Sequence, residues 1–141
     1  MLNLKYNIVG GDFSKAGNAS SQVKKNLKQL SIDAKLIKNI VVALYEAEVN
    51  IVAHAANGLI EVTISPEAVT MIASDKGPGI ENVEMAMREG FSTASQKVRQ
   101  MGFGAGMGLP NIKKNVDQLT IETEVGRGTT LTMIKKLKDA H

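Results

Sequence analysis

Glu46 and Asn50 stand four residues apart in a stretch of helical periodicity, so a carboxylate and an amide share one helix face. That face lies opposite the stripe of Ile37, Leu44 and Ile51. Spacing alone favours a solvated helix side. Against that, the flanking Val42, Val49 and Ala53 are apolar, which points to a lined cavity. A second cluster, Asp75-Lys76-Gly77-Pro78-Gly79-Ile80, directly follows an apolar strand. Its two glycines let backbone approach a flat ligand, and a carboxylate at the strand end can accept from an exocyclic amine. Asp, Gly and Pro are equally the residues of an ordinary surface turn.

A third cluster runs Gly102-Phe103-Gly104-Ala105-Gly106-Met107-Gly108-Leu109-Pro110-Asn111. Alternating glycines lead into a helix with Pro110 in its first turn. Backbone amides there, added to the helix N-terminal dipole, make a phosphate cradle. Met107 occupies the place where a dinucleotide fingerprint needs its third glycine, and no Gly-Lys pair offers a P-loop. The fourth cluster, Gly126-Arg127-Gly128-Thr129-Thr130, is by itself a hairpin turn entering the last strand. His54 follows Asn50 by four residues and reads as a structural hydrogen-bonding residue. Glu48 falls on the main apolar stripe, where a lysine partner or a place at the helix edge would accommodate it.

Several chemistries are excluded by composition. The chain has 141 residues, no cysteine and two histidines, His54 and His141. Disulfides, thiol catalysis, iron–sulfur clusters and zinc fingers are therefore absent. Net charge is +3 with five aromatics and no tryptophan, which gives nucleic acid neither a field nor a stacking platform. No apolar run approaches the roughly 20 residues needed to span a bilayer, and no signal-peptide core follows the N-terminus. The expectation is a cytoplasmic protein of one domain over residues 1–141, with neither a nucleic-acid nor a membrane partner.

The elements that must position these clusters follow from periodicity. Residues 2–9 alternate as a half-buried strand. Helices are expected over about 14–30, weakened near its start by Gly17, and over about 33–56, with Asp33 as N-cap. Asn57-Gly58 reads as a turn, and 59–65 and 68–74 as a hairpin around Pro66-Glu67. Seven of the 13 glycines fall between Asp75 and Gly108, with one short helical candidate at about 82–89, the texture of a functional loop. Helix resumes over about 109–116, and 119–124 and 129–136 form a last strand pair. The order implies an α+β two-layer sandwich, an antiparallel or mixed sheet with helices on one face, and not a doubly wound fold.

Taken in order, the clusters resemble the signature of the GHKL ATP-binding superfamily. An E-x-x-x-N box lies at Glu46–Asn50, a D-x-G-x-G box at Asp75–Gly79, a glycine box ends Gly106-Met107-Gly108-Leu109, and a G-x-G-T box spans Gly126–Thr129. The length leaves no room for a transducer or a dimerisation domain. The chain thus looks like the switch-protein serine/threonine kinases of the RsbT, RsbW and SpoIIAB anti-sigma group. In the sigma-binding branch an arginine often precedes the final Gly-x-Gly. Here that place is Gly104 and the nearest arginine is Arg99, so the string resembles the RsbT branch more.

The resemblance implies a Bergerat-type fold, ATP and Mg²⁺ as cofactors, and a role for each residue. Asp75 accepts from the adenine amino group, helped by Thr129, with Gly77 and Gly79 against the base. Asn50 is the single protein ligand to Mg²⁺. Gly104, Gly106 and Gly108, with Leu109 closing the box, wrap the phosphates. Glu46 is the general base. A lid spans about 91–108, in which Ser92, Thr93, Lys97 and Arg99 are candidates for the γ-phosphate. The implied substrate is a serine or threonine on a STAS-domain antagonist protein. A sigma factor or a phosphatase are further possible partners, as is a second copy in a homodimer.

Overall fold

The structure is a computed structural model, and it describes residues 1–77, 79, 80, 83, 87 and 108–137. Five strands are described: β1 (Leu2–Val9), β2 (Asn57–Ile64), β3 (Ala68–Asp75), β4 (Gln118–Glu124) and β5 (Gly128–Lys136). They form one sheet in the order β1-β2-β3-β5-β4, and all four pairings are antiparallel. Among the described residues three α-helices, α1 (Asn18–Gln29), α2 (Ala34–His54) and α3 (Gly108–Asn115), accompany the sheet in an α+β fold.

Strand alternation sends Ile60, Val62, Ile64, Val69, Met71, Ala73, Leu131 and Met133 to one face, where all are buried. Helix α2 lies over that face with α1 and α3 packed against it. Leu27, Ile40, Leu44, Ile51 and Ile112 meet the strand residues in one core. The helices thus occupy a single face. The residues between the inward positions, such as Thr63, Ile72 and Thr132, are half-exposed on the other.

Helix α2 begins where expected, because Asp33 accepts from the Lys35 amide at 2.8 Å. The expected helix over 14–30 is shorter. Phe13–Lys15 is a separate 3₁₀ turn, and Gly17, at φ +97°, is the residue from which α1 departs. Asn57-Gly58 is no turn. Both residues are already paired in β2, opposite Val9 and Ile8 of β1, and Ala55-Ala56 alone carries the chain from helix to strand. The short helical candidate at 82–89 and the lid at 91–108 lie outside the described residues, Gly108 excepted.

Candidate functional site

The sheet register assembles one end of the site. Asp75 closes β3 and pairs with Thr129 of β5, which pairs on its other side with Thr123 of β4. The D-x-G-x-G and G-x-G-T boxes, some fifty residues apart in the chain, therefore meet at one rung of the sheet. The contact is tight. A Cβ on Gly128 would lie 2.0 Å from the Asp75 carbonyl oxygen, and one on Gly79 would lie 2.5 Å from that of Glu124. Both glycines also sit at positive φ, +124° and +79°, so no side chain is accommodated at either position.

Asp75 Oδ1 accepts from the Gly77 amide at 2.8 Å, an Asx-type turn that folds the loop back on its own carboxylate. Among the described residues Oδ2 has no partner. Thr129 is buried, and its Oγ1 lies 2.9 Å from Thr123 Oγ1. Thr123 was not among the sequence candidates. Its one signal is that it continues the inward alternation of Leu119 and Ile121 with a hydroxyl.

Helix α2 runs from this end to a second. Glu46, Asn50 and His54 follow at four-residue steps and are all half-buried. Eight residues of helix separate the first from the last, about 12 Å. At the His54 end, the position of a Gly77 Cβ falls 3.2 Å from the His54 carbonyl and 3.0 Å from Asp75 Oδ1. Burial lowers the His54 pKa, opposed by the negative charge of Asp75. The imidazole makes no hydrogen bond among the described residues, so the expected structural bond is not found there.

At the other end Glu46 meets α3. Asn111 Nδ2 donates to Glu46 Oε1 at 3.3 Å, and a Cβ on Gly108 would stand 3.7 Å from Oε2. Burial raises the Glu46 pKa, and the Asn111 hydrogen bond works against that rise. The result is a carboxylate with greater proton affinity than an exposed one, held beside the first turn of the helix that follows the glycine box. Leu109 is buried under it as a core residue. Gly104 and Gly106 lie outside the described residues.

Glu48 is 1% exposed, yet neither lysine nor helix edge explains it. Its Oε2 accepts from the amides of Gly17 and Ala19 at 2.9 and 3.2 Å, and its Oε1 from the amide and hydroxyl of Ser20, both at 3.2 Å. It caps α1 from a neighbouring helix, satisfying amides that have no partner within α1 and placing a negative charge at its positive end.

Metal binding can be judged from the donors. Among the described residues no group of three or more His, Cys, Asp or Glu could hold an ion. Asn50 is half-exposed and its amide makes no hydrogen bond there. A single neutral oxygen suits a hard cation that keeps most of its waters and takes the rest of its ligands from phosphates.

Comparison with known proteins gives a consistent picture. The family model of the histidine kinase-like ATPase domain matches residues 12–135. The serine/threonine-protein kinase RsbT of Bacillus subtilis (strain 168) is 30% identical over 125 residues, 85% of this chain and 88% of that protein. An anti-sigma F factor of Caldanaerobacter subterraneus subsp. tengcongensis is 32% identical over 143 aligned positions, 96% of this chain and 92% of the relative. The crystal structure of the RsbU and RsbW domains of a Mycobacterium tuberculosis protein superimposes with a TM-score of 0.64 at 17% identity, over 97% of this chain and 32% of that one. At that identity the likeness is one of fold.

Proposed function

Because the chain belongs to the histidine kinase-like ATPase domain family, we propose that it is an ATP-dependent serine/threonine-protein kinase whose substrate is a small STAS-domain protein of a bacterial partner-switching pathway. The observation that carries the nucleotide site is the register that sets Asp75 beside Thr129 at one end of α2, while Glu46 and Asn50 lie along that helix toward α3. The similarity to RsbT over most of both chains supports the activity.

In this reading the adenine amino group donates to Asp75, with Thr129 beside it and Gly77 and Gly79 under the base. The phosphates extend along α2 toward α3 and are wrapped by Gly104, Gly106 and Gly108. Asn50 holds Mg²⁺, which when bound neutralises phosphate charge and orients the γ-phosphoryl group. Glu46 accepts the proton of the attacking serine or threonine hydroxyl, and its raised proton affinity suits a group that must take a proton during the reaction. The hydroxyl oxygen forms the new bond to phosphorus, the bond to ADP breaks, and the proton rests on Glu46. The phosphorylated partner gains nearly two negative charges and loses affinity for the kinase.

A second reading has a specific support: the anti-sigma F factor matches 96% of this chain. There the main activity would be sequestering a sigma factor. A two-partner titration with ATP separates the two. Transfer of labelled γ-phosphate to a STAS protein, with weaker binding afterwards and no tight sigma complex, is expected. A nanomolar sigma-factor complex broken by an unphosphorylated STAS protein would promote the anti-sigma reading.

A further inference from the structure

Thr123 is surrounded by groups whose hydrogen-bonding roles are fixed. Its Oγ1 lies 2.9 Å from the Ile80 amide nitrogen, 3.2 Å from the Gly128 carbonyl oxygen and 2.9 Å from Thr129 Oγ1. A hydroxyl carries one proton and two lone pairs. The Ile80 amide only donates, so it occupies one lone pair. The Gly128 carbonyl only accepts, so that contact is a hydrogen bond only when it takes the proton. All three contacts are then satisfied together by one arrangement, in which Thr129 donates into the second lone pair; the reverse direction would leave the Gly128 carbonyl facing an oxygen with no proton to offer.

That donation commits the only proton of Thr129. Its oxygen is left with lone pairs alone for any ligand. Its cross-strand partner, Asp75, is a carboxylate and likewise accepts only. The two polar side chains at this end of the sheet therefore present acceptors and no donor. An exocyclic amine satisfies them. A carbonyl in the same place would set oxygen against oxygen beside the buried Thr129, where unpaired acceptors are costly.

We infer that Thr123 is a positioning residue: it fixes the Thr129 hydroxyl as an acceptor and so selects a 6-amino over a 6-oxo purine nucleotide. The inference rests on the reading of Asp75 and Thr129 as the base-binding end. It adds a residue that does not touch the ligand and acts through another.

Replacing Thr123 by valine keeps the shape and removes the relay. The Thr129 proton is then released and can be offered to a carbonyl. The test is calorimetric titration of the full chain with ATP and, separately, with inosine triphosphate, which carries oxygen at C6. The wild type should bind ATP more tightly. In Thr123→Val the ATP-to-ITP affinity ratio should fall roughly three- to ten-fold, the scale of one neutral hydrogen bond. Thr123→Ser, which keeps the hydroxyl, should restore the wild-type ratio. A purely structural role would weaken both nucleotides alike, so an unchanged ratio in the valine variant overturns the inference while leaving the nucleotide site standing. A wild type that binds no ATP overturns both. Should the valine variant show no cooperative melt, Thr123→Ala takes its place, with the same two outcomes for the ratio.

Discussion

The two ends of the site are built in different ways. At the proposed base-binding end, side chains are placed by backbone. Asp75, Thr129 and Thr123 occupy one rung across three strands, and Gly79 and Gly128 bring carbonyls too close for any Cβ. At the transfer end, side chains are placed by helix packing. Glu46 projects from α2 toward α3, where Asn111 donates to it at 3.3 Å. The first arrangement is suited to recognising a flat group of fixed shape. The second sets a half-buried carboxylate beside the first turn of α3, where the proposed function needs a proton acceptor. On the proposed function, recognition falls to the sheet end and chemistry to the end where α2 meets α3.

The largest effect should separate the ends outright. Glu46→Gln retains an oxygen that can accept from Asn111 but cannot take the hydroxyl proton. Phosphoryl transfer measured in single turnover should fall about 10²–10⁴-fold with ATP affinity essentially kept. Transfer at the normal rate would contradict the assignment of Glu46. Glu48 could not replace it, because both its oxygens are already bound by α1.

Next come the glycines, one from each end. Gly128→Ala forces a side chain against the Asp75 carbonyl at a left-handed φ. It should cost about 1–3 kcal/mol of stability and weaken nucleotide binding. Among the described residues, a Cβ at Gly108 meets only Glu46 Oε2, at an ordinary 3.7 Å, within the first turn of α3. The melting temperature of Gly108→Ala should stay close to that of the wild type. Equal losses in thermal melts of the two variants would erase the distinction between the ends.

The smallest effect is one of pH. Burial raises the Glu46 pKa above its ordinary 4.5, the Asn111 bond opposing. A base acts when deprotonated, so transfer should fall as pH is lowered through that raised value, beginning at a higher pH than for an exposed glutamate. The same shift means the folded state holds this proton more tightly. Its contribution to stability is therefore present at low pH and lost as pH rises through the folded value. A pH–rate profile whose acid limb lies at or below the ordinary carboxylate range would contradict this environment for Glu46.

Much of this was legible in the residues, and the exceptions have physical causes. Asp33 announced the start of α2 because capping is local chemistry. The strand pairs were legible because alternation is local as well. Gly17 weakened the first helix in the sequence and delays its start in the structure. The partner of Glu48 was not legible: the amides that it satisfies belong to residues 28 to 31 positions away, brought there only by packing of α1 on α2. Thr123 was hidden for a similar reason. A threonine at an inward strand position is unremarkable until register sets it opposite Thr129. His54 had a visible face but not a visible neighbour, and its nearness to Asp75 depends on how the strand end meets the helix end.

The most direct test of the central claim, that the sheet end recognises the base, is calorimetric titration of wild type and Asp75→Asn with ATP. The substitution keeps the shape of the side chain and removes the charge of the acceptor. Removing one charge-assisted hydrogen bond costs about 1.5–3 kcal/mol, so the variant should bind roughly ten- to a hundred-fold more weakly. An ATP affinity unchanged by Asp75→Asn would place the base somewhere other than the end of β3.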